Sequence, residues 1–150
     1  MEKIKSKYMK NSNAKPSQKF TYEFTVLEEN LDQNGHVNNV VYVKWMQDVA
    51  IRHSNTCGGT KAMQKAGAIW VVRSHKIDYL QPAFAGDQII ATTWVKSFKR
   101  VQSRRFYEFT RKQDGITLAK GKTDWVFVDA KTGRPKRIPQ TVIDCFYREL

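Results

Sequence analysis

The chain has 150 residues, 41% hydrophobic, 12% aromatic and 27% charged, which suits one folded domain with its own core and excludes wholesale disorder. Twenty-six Lys and Arg against fourteen Asp and Glu leave a formal charge of +12, which favours an anionic partner. No stretch approaches the roughly 20 apolar residues that cross a bilayer, and Cys57 and Cys145 show neither metal-ligand spacing nor a disulfide framework.

Residues 1–18 are polar and aperiodic and read as a flexible basic tail; residues 19–150 read as the folded domain. Six lysines against the single Glu2 place five of the twelve excess charges in residues 1–20. No apolar run follows them, so no secretory signal is expected and the cytoplasm is the expected compartment. Phe20 to Glu28 alternates as a strand, with Phe20, Tyr22, Phe24 and Val26 on one face. Asn30 to Gly35 breaks that pattern with turn-forming residues. From Val37 to about Thr56 the period becomes helical: Val37, Val41, Trp45, Val49 and His53 recur every four residues, and Gly58-Gly59 ends the run.

Thr60 to Lys65 predicts a short second helix. Strands follow over Ala68–Leu80, Gln88–Phe98, Arg104–Lys112 and Thr117–Val128, rich in β-branched and aromatic residues. Pro82–Gly86, residues 99–103 and Asp114-Gly115 separate them. Thr132-Gly133-Arg134-Pro135 is a turn, and a last helix is expected after Pro139, through Tyr147. An antiparallel sheet of about five strands has one face to bury, and the single long helix is its natural cover. The expected class is α+β.

The segment Asp32-Gln33-Asn34-Gly35-His36-Val37-Asn38-Asn39 crowds polar side chains where the chain enters the long helix. A helix start offers unpaired N–H groups and a positive dipole end, suited to an anion or a developing oxyanion. Asp32 is placed to act as base or nucleophile, His36 to handle a proton and Asn34 to orient. Taken singly, each polar residue here reads as a cap or turn residue. Taken together they exceed what one N-cap needs. Further along, Lys96, Lys99, Arg100, Arg104, Arg105, Arg111 and Lys112 meet only Glu108, which predicts either a solvated face or a contact with an anionic partner. His53 reads as structural, and His75 lies in a strand from which it can reach a neighbour's site across a dimer.

The pattern Asp-x-Asn-x-His-Val-Asn-Asn-Val-x-Tyr-x-x-Trp over Asp32–Trp45 resembles the catalytic segment of the acyl-acyl carrier protein thioesterases. Its shorter form, Asp-x-x-Gly-His-Val-Asn-Asn-x-x-Tyr, also resembles the wider 4-hydroxybenzoyl-CoA thioesterase-like group. Looser likeness runs over residues 20–140, through Trp70-Val71-Val72-Arg73, Ile77-Asp78-Tyr79, Pro82, Gly86-Asp87 and Val128-Asp129. The resemblance implies a hot-dog fold, a long helix wrapped by an antiparallel sheet, and hydrolysis of a fatty-acyl or related thioester on acyl carrier protein or coenzyme A. Asp32 matches the family's catalytic carboxylate, Asn34 and His36 its polar partners, and the backbone N–H of Asn39 the donor that polarises the carbonyl.

Lys99, Arg100, Arg104 and Arg105 become candidates for binding the carrier or coenzyme A. No cofactor or metal is implied, and no nucleic acid or membrane insertion is expected as partner. Family sites lie between two subunits, and this chain has length for one hot dog only, so a homodimer or homotetramer is expected. Asn30 departs from the pattern, since many relatives carry an acidic residue there. Competing readings are a non-catalytic acyl-thioester or carrier-binding hot-dog protein, a hot-dog hydratase or dehydratase, and, from charge alone, a nucleic-acid-binding protein.

Overall fold

In the computed structural model, which describes residues 15–150, β1 (Phe20–Thr25) turns Phe20, Tyr22 and Phe24 inward while Thr21, Glu23 and Thr25 face solvent. The strand stops earlier than alternation predicts, because the Asn30 side chain accepts from Leu27 N (2.8 Å) and Asn30 N donates to Leu27 O (2.9 Å), closing a 3₁₀ turn over Glu28–Asn30. The long helix α1 (Asn39–Cys57) also starts later than its apolar stripe suggests. Val37 fits the helical phase, but it bridges Leu31 and donates to Ala83 O at 2.9 Å, so it is buried as extended chain. Asn38 is the N-cap, its side chain accepting from Val40 N at 3.0 Å.

Gly58, with φ 86°, ends α1 and starts α2 (Gly59–Lys65). Then come β2 (Ala68–Tyr79), β3 (Gln88–Lys99), β4 (Gln102–Arg111), β5 (Thr117–Asp129) and α3 (Gln140–Cys145). All pairings are antiparallel, in the order β1-β3-β4-β5-β2, so β2 crosses over to form the edge opposite β1. Register shifts at Val72/Ser74, Val95/Ser97 and Phe109/Thr110 mark irregularities that bend the strands, and the sheet curls around α1.

Two apolar clusters fill the interior. One packs Tyr42, Trp45, Met46 and Val49 of α1 onto Ile89, Ala91, Tyr107, Phe109, Leu118 and Ala119. The other gathers Cys57, Val95, Phe127, Ile138, Val142 and Phe146 at the far end of the helix. His53 joins them, stacked on Phe20 at 5.4 Å and edge-on to Phe146 at 5.3 Å. At the centre, Gly121 lets the helix approach: a Cβ there would lie 2.9 Å from Met46 Sδ and 3.3 Å from Lys76 O.

Two residues assigned to the basic tail belong to the fold instead. Ser17 is buried, donates its N–H to Val95 O (2.9 Å) and accepts from Val95 N (2.7 Å). Gln18 N donates to Phe146 O at 3.1 Å. Backbone pairing overrides their polar composition. Residues 1–14 of the assigned tail lie outside the described residues.

Candidate active site

The turn before α1 is built by Asp32. Its Oδ1 accepts from Asn34 N at 2.8 Å and His36 N at 3.4 Å, and its N–H donates to His36 O at 2.7 Å. Gly35, at φ 76°, gives the turn its left-handed step. Asp32 Oδ2 and the side chains of Asn34 and His36 make no hydrogen bond among the described residues, so one carboxylate oxygen holds the loop and the other is open. At the helix start, the Asn38 N–H is used by Asn30 O (2.9 Å), Val40 N by the Asn38 side chain and Val41 N by Asn38 O (2.9 Å). The Asn39 N–H is left without a partner among the described residues. Asp32, Asn34, His36 and Asn39 are thus gathered in one short turn and the helix end it leads into.

Tyr79, Phe84, Asp87 and Arg111, none of them predicted as a site residue, steady this turn. Tyr79 Oη donates to Asn39 O at 2.9 Å, tying β2 to the first turn of α1. Burial raises the Tyr79 pKa; burial, then the neighbouring Tyr79 and Asp87, raise that of Tyr42 to about 12, so both phenols stay protonated. Phe84 meets the His36 ring edge-on at 5.1 Å. Phe84 N is held by Asp87 Oδ2 (2.9 Å), and Arg111 bonds that same oxygen and Pro82 O, each at 3.3 Å. The contacts join loops distant in sequence, which is why spacing gives no sign of them.

The basic run does not form one free surface. Arg104 is paired with Asp124 by two hydrogen bonds of 2.8 and 3.2 Å. Arg111 is paired with Asp87 and Asp114, and Lys112 with Glu23 at 2.8 Å. Arg105 is no surface residue at all: it is 5% exposed, and its Nη1 donates to His53 Nδ1 (2.8 Å) and Thr93 Oγ1 (3.1 Å). Strand alternation in β4, which buries Ser103, Arg105, Tyr107 and Phe109 in turn, carries it inward. Lys96, Lys99 and Arg100 remain exposed. Lys99 and Arg100 sit at the β3–β4 turn, roughly 35 Å of extended strand from Gln88, which follows the loop whose Phe84 meets His36. One chain does not bring them to Asp32. His75 is bound within its own sheet, Nδ1 lying 2.8 Å from Thr123 Oγ1.

His53 gives this interior a pH response. Burial and then the Arg105 charge lower its pKa from 6.5 to about 3. The folded pKa lies below the unfolded one, so the unfolded chain takes up the proton first as pH falls. Stability from this group is full above 6.5 and is lost on the way down to about 3. The slope is at most about 1.4 kcal/mol per pH unit. Thermal melts across that window are expected to fall more steeply for the wild type than for His53→Asn; equal slopes would remove His53 from the acid response.

No helix is long and apolar enough to cross a membrane, and no group of three His, Cys, Asp or Glu is placed to hold a metal, among the described residues. A curled five-stranded antiparallel sheet wrapped around one long helix is the hot-dog fold. The chain belongs to the acyl-ACP thioesterase family, whose N-terminal domain model matches residues 17–146. A palmitoyl-acyl carrier protein thioesterase of Gossypium hirsutum chloroplasts is 25% identical over 132 residues, 82% of this chain and 32% of that protein. The chain thus spans about a third of the length of such relatives. Among solved structures, a 1,4-dihydroxy-2-naphthoyl-CoA thioesterase from Synechocystis superposes with a TM-score of 0.77 at 17% identity, covering 86% of this chain and 96% of that one. A Thermus thermophilus thioesterase crystallised with coenzyme A and zinc gives 0.71 at 25% identity, covering 84% and 90%.

Proposed function

We propose that this protein hydrolyses the thioester of a fatty-acyl or related acyl group carried on acyl carrier protein or coenzyme A. The observation that carries the reading is the pairing, within one turn, of the open Asp32 Oδ2 with the unpartnered Asn39 N–H. The Asn39 N–H, at the positive end of α1, would polarise the thioester carbonyl and hold the oxyanion. Asp32 would take the proton of an attacking water, or itself attack; Asn34 and His36 would orient the water and supply a proton to the leaving thiolate.

A thiol-release assay over acyl-CoA and acyl-carrier-protein substrates of graded chain length tests this. Release that depends on Asp32 is the expected result, and the better carrier names the substrate. No release from any substrate by folded protein would favour a non-catalytic acyl-thioester binder.

A second copy of the chain would cover the free edge of β2, where Ile69 and Val71 are exposed, and Val40, 72% exposed on α1. A homodimer, or a homotetramer built from it, follows from this reading. So does a cytoplasmic setting, which suits two free buried cysteines. Lys99 and Arg100 would then meet an acidic carrier from the far end of β3. Reversing both charges is expected to raise KM for the carrier-bound substrate several-fold at low salt and to leave kcat unchanged, roughly the effect of rim charges on encounter. An unchanged KM at low salt would remove the hairpin from carrier recognition.

A further inference from the structure

The outward side of the sheet carries a row of side chains that the packing of the core does not use. Burial alternates along the strands, so the neighbours of the buried Thr93, Arg105 and Thr123 face away from α1. Trp94 on β3 stands in register with Phe106 on β4, Phe106 with Lys122 on β5, and Lys122 with Lys76 on β2. Lys19, just before β1, closes the row with its Nζ 4.7 Å from the centre of the Trp94 ring. Two half-buried rings in edge contact, 5.9 Å apart, thus lie between one lysine and two others. Lys96 is exposed beside them in the β3 irregularity. Across five strands the row is about 19 Å long.

The charge of this row is not balanced within the fold. Lys76 and Lys122 are direct cross-strand partners, where like charges repel. Lys76 makes one loose, exposed pair, with Asp78 at 3.9 Å. Both oxygens of Asp124, the nearest carboxylate along β5, are held by Arg104. Lys19, Lys96 and Lys122 make no ion pair among the described residues. The sequence leading into the row is basic as well: Lys3, Lys5, Lys7, Lys10 and Lys15 stand against Glu2 alone before Ser17, which pairs with Val95 beside Trp94.

Charge calls for an anionic partner, and shape selects among them. The sheet curls around α1, so its outward side is convex and rests on a broad surface more readily than it wraps a peptide or helix. Lysine ammonium groups on apolar stems and tryptophan rings are the side chains that settle at the headgroup level of a bilayer. We propose that this face docks peripherally on an anionic lipid bilayer, with Trp94 and Phe106 at the headgroup layer and Lys19, Lys76, Lys96 and Lys122 among its phosphates. No helix among the described residues need insert. Trp94 is six residues along β3 from Gln88, about 20 Å of strand, so the face is separate from the Asp32 turn and the proposal does not depend on thioester hydrolysis.

Co-sedimentation of the full chain with vesicles tests it. At low salt the protein is expected to sediment with phosphatidylcholine vesicles that contain about a third phosphatidylglycerol, and not with phosphatidylcholine alone. Salt of about 0.5 M should release it, because the charges are then screened within a few Å. Lys76→Gln with Lys122→Gln should weaken binding roughly 25-fold, about fivefold for each lysine at the surface. That variant should melt no lower than wild type, since it removes a repulsion. Lys61→Gln with Lys65→Gln takes the same charge from exposed positions on α2 and should bind within roughly twofold of wild type, as charges away from the contact are screened. No sedimentation with the anionic vesicles, equal binding to phosphatidylcholine alone, or equal losses in the two lysine pairs would each overturn the assignment. If vesicles are ignored while an acidic acyl carrier protein binds and is lost with Lys76 and Lys122, the face docks a protein and the bilayer assignment falls.

Discussion

Asp32→Asn is expected to lower kcat/KM for acyl-thioester hydrolysis by roughly 10²–10⁴-fold, the usual worth of a positioned general base, with little change in melting temperature. The choice of asparagine follows from the double use of the carboxylate. Asp32 Oδ1 holds the turn by accepting from Asn34 N and His36 N, while Oδ2 is open. An asparagine oxygen can keep the first duty, since Asn serves as well as Asp in such turns. It has no negative charge with which to take a proton or attack a carbonyl. Asp32→Ala removes both duties at once, so its loss of activity would not distinguish a missing base from a collapsed loop. Steady-state kinetics beside a thermal melt make the distinction. An Asn variant with wild-type kcat/KM would take Asp32 out of the chemistry and leave it as a turn residue.

Much of the fold can be read from the sequence because its signals are local. The stripe through Val41, Trp45, Val49 and His53 marks α1 without ambiguity of type, and the β-branched and aromatic runs mark β2 to β5. The turn that Asp32 closes is equally local, since its hydrogen bonds to Asn34 and His36 span at most four residues. What stays hidden depends on contacts between distant segments. Val37 shares the helical phase yet is drawn out of the helix by Ala83 O, 46 residues away. The hold that Arg111 and Asp87 keep on Phe84, and that of Tyr79 on Asn39, join β2, β4 and two loops.

Arg105 is a different case, because a signal was present. Counting alternate residues back from Phe109 and Tyr107 places it inward, but clustering by charge places it with its basic neighbours. Period is the better guide there, since a strand's geometry fixes which side a residue faces and composition does not. The same count explains the depleted basic surface. Arg104, on the outer side, meets Asp124 directly across the β4–β5 ladder, so its charge is answered by a strand that follows 20 residues later.

Phe109→Ala is expected to cost about 3–5 kcal/mol, roughly 10 °C or more in melting temperature for a chain of this length. Phe109 is 0% exposed, and its register partners are Ala91 on β3 and Ala119 on β5, both buried. Two small neighbours make room in the floor of the sheet for one large ring, which rises against Tyr42 (centroids 5.5 Å apart, 75°) and Trp45 (6.1 Å). Removing the ring leaves three alanines in a row beneath α1, and neither flanking side chain is long enough to fill the gap. The effect should reach the turn at the start of α1 as well. Tyr42 packs edge-on against Tyr79 at 5.5 Å, and Tyr79 bonds Asn39 O, so one ring stands under the helix turn that presents the Asn39 N–H. At a temperature where the variant is fully folded, kcat should therefore still fall, because an oxyanion donor works only when it is held in place. A melt within about 1 kcal/mol of wild type, well short of the loss expected for a buried ring, would show that the sheet closes over the gap. Unchanged kcat in a clearly destabilised variant would show that the helix start is held by its own cap and by Tyr79, without support from the core beneath.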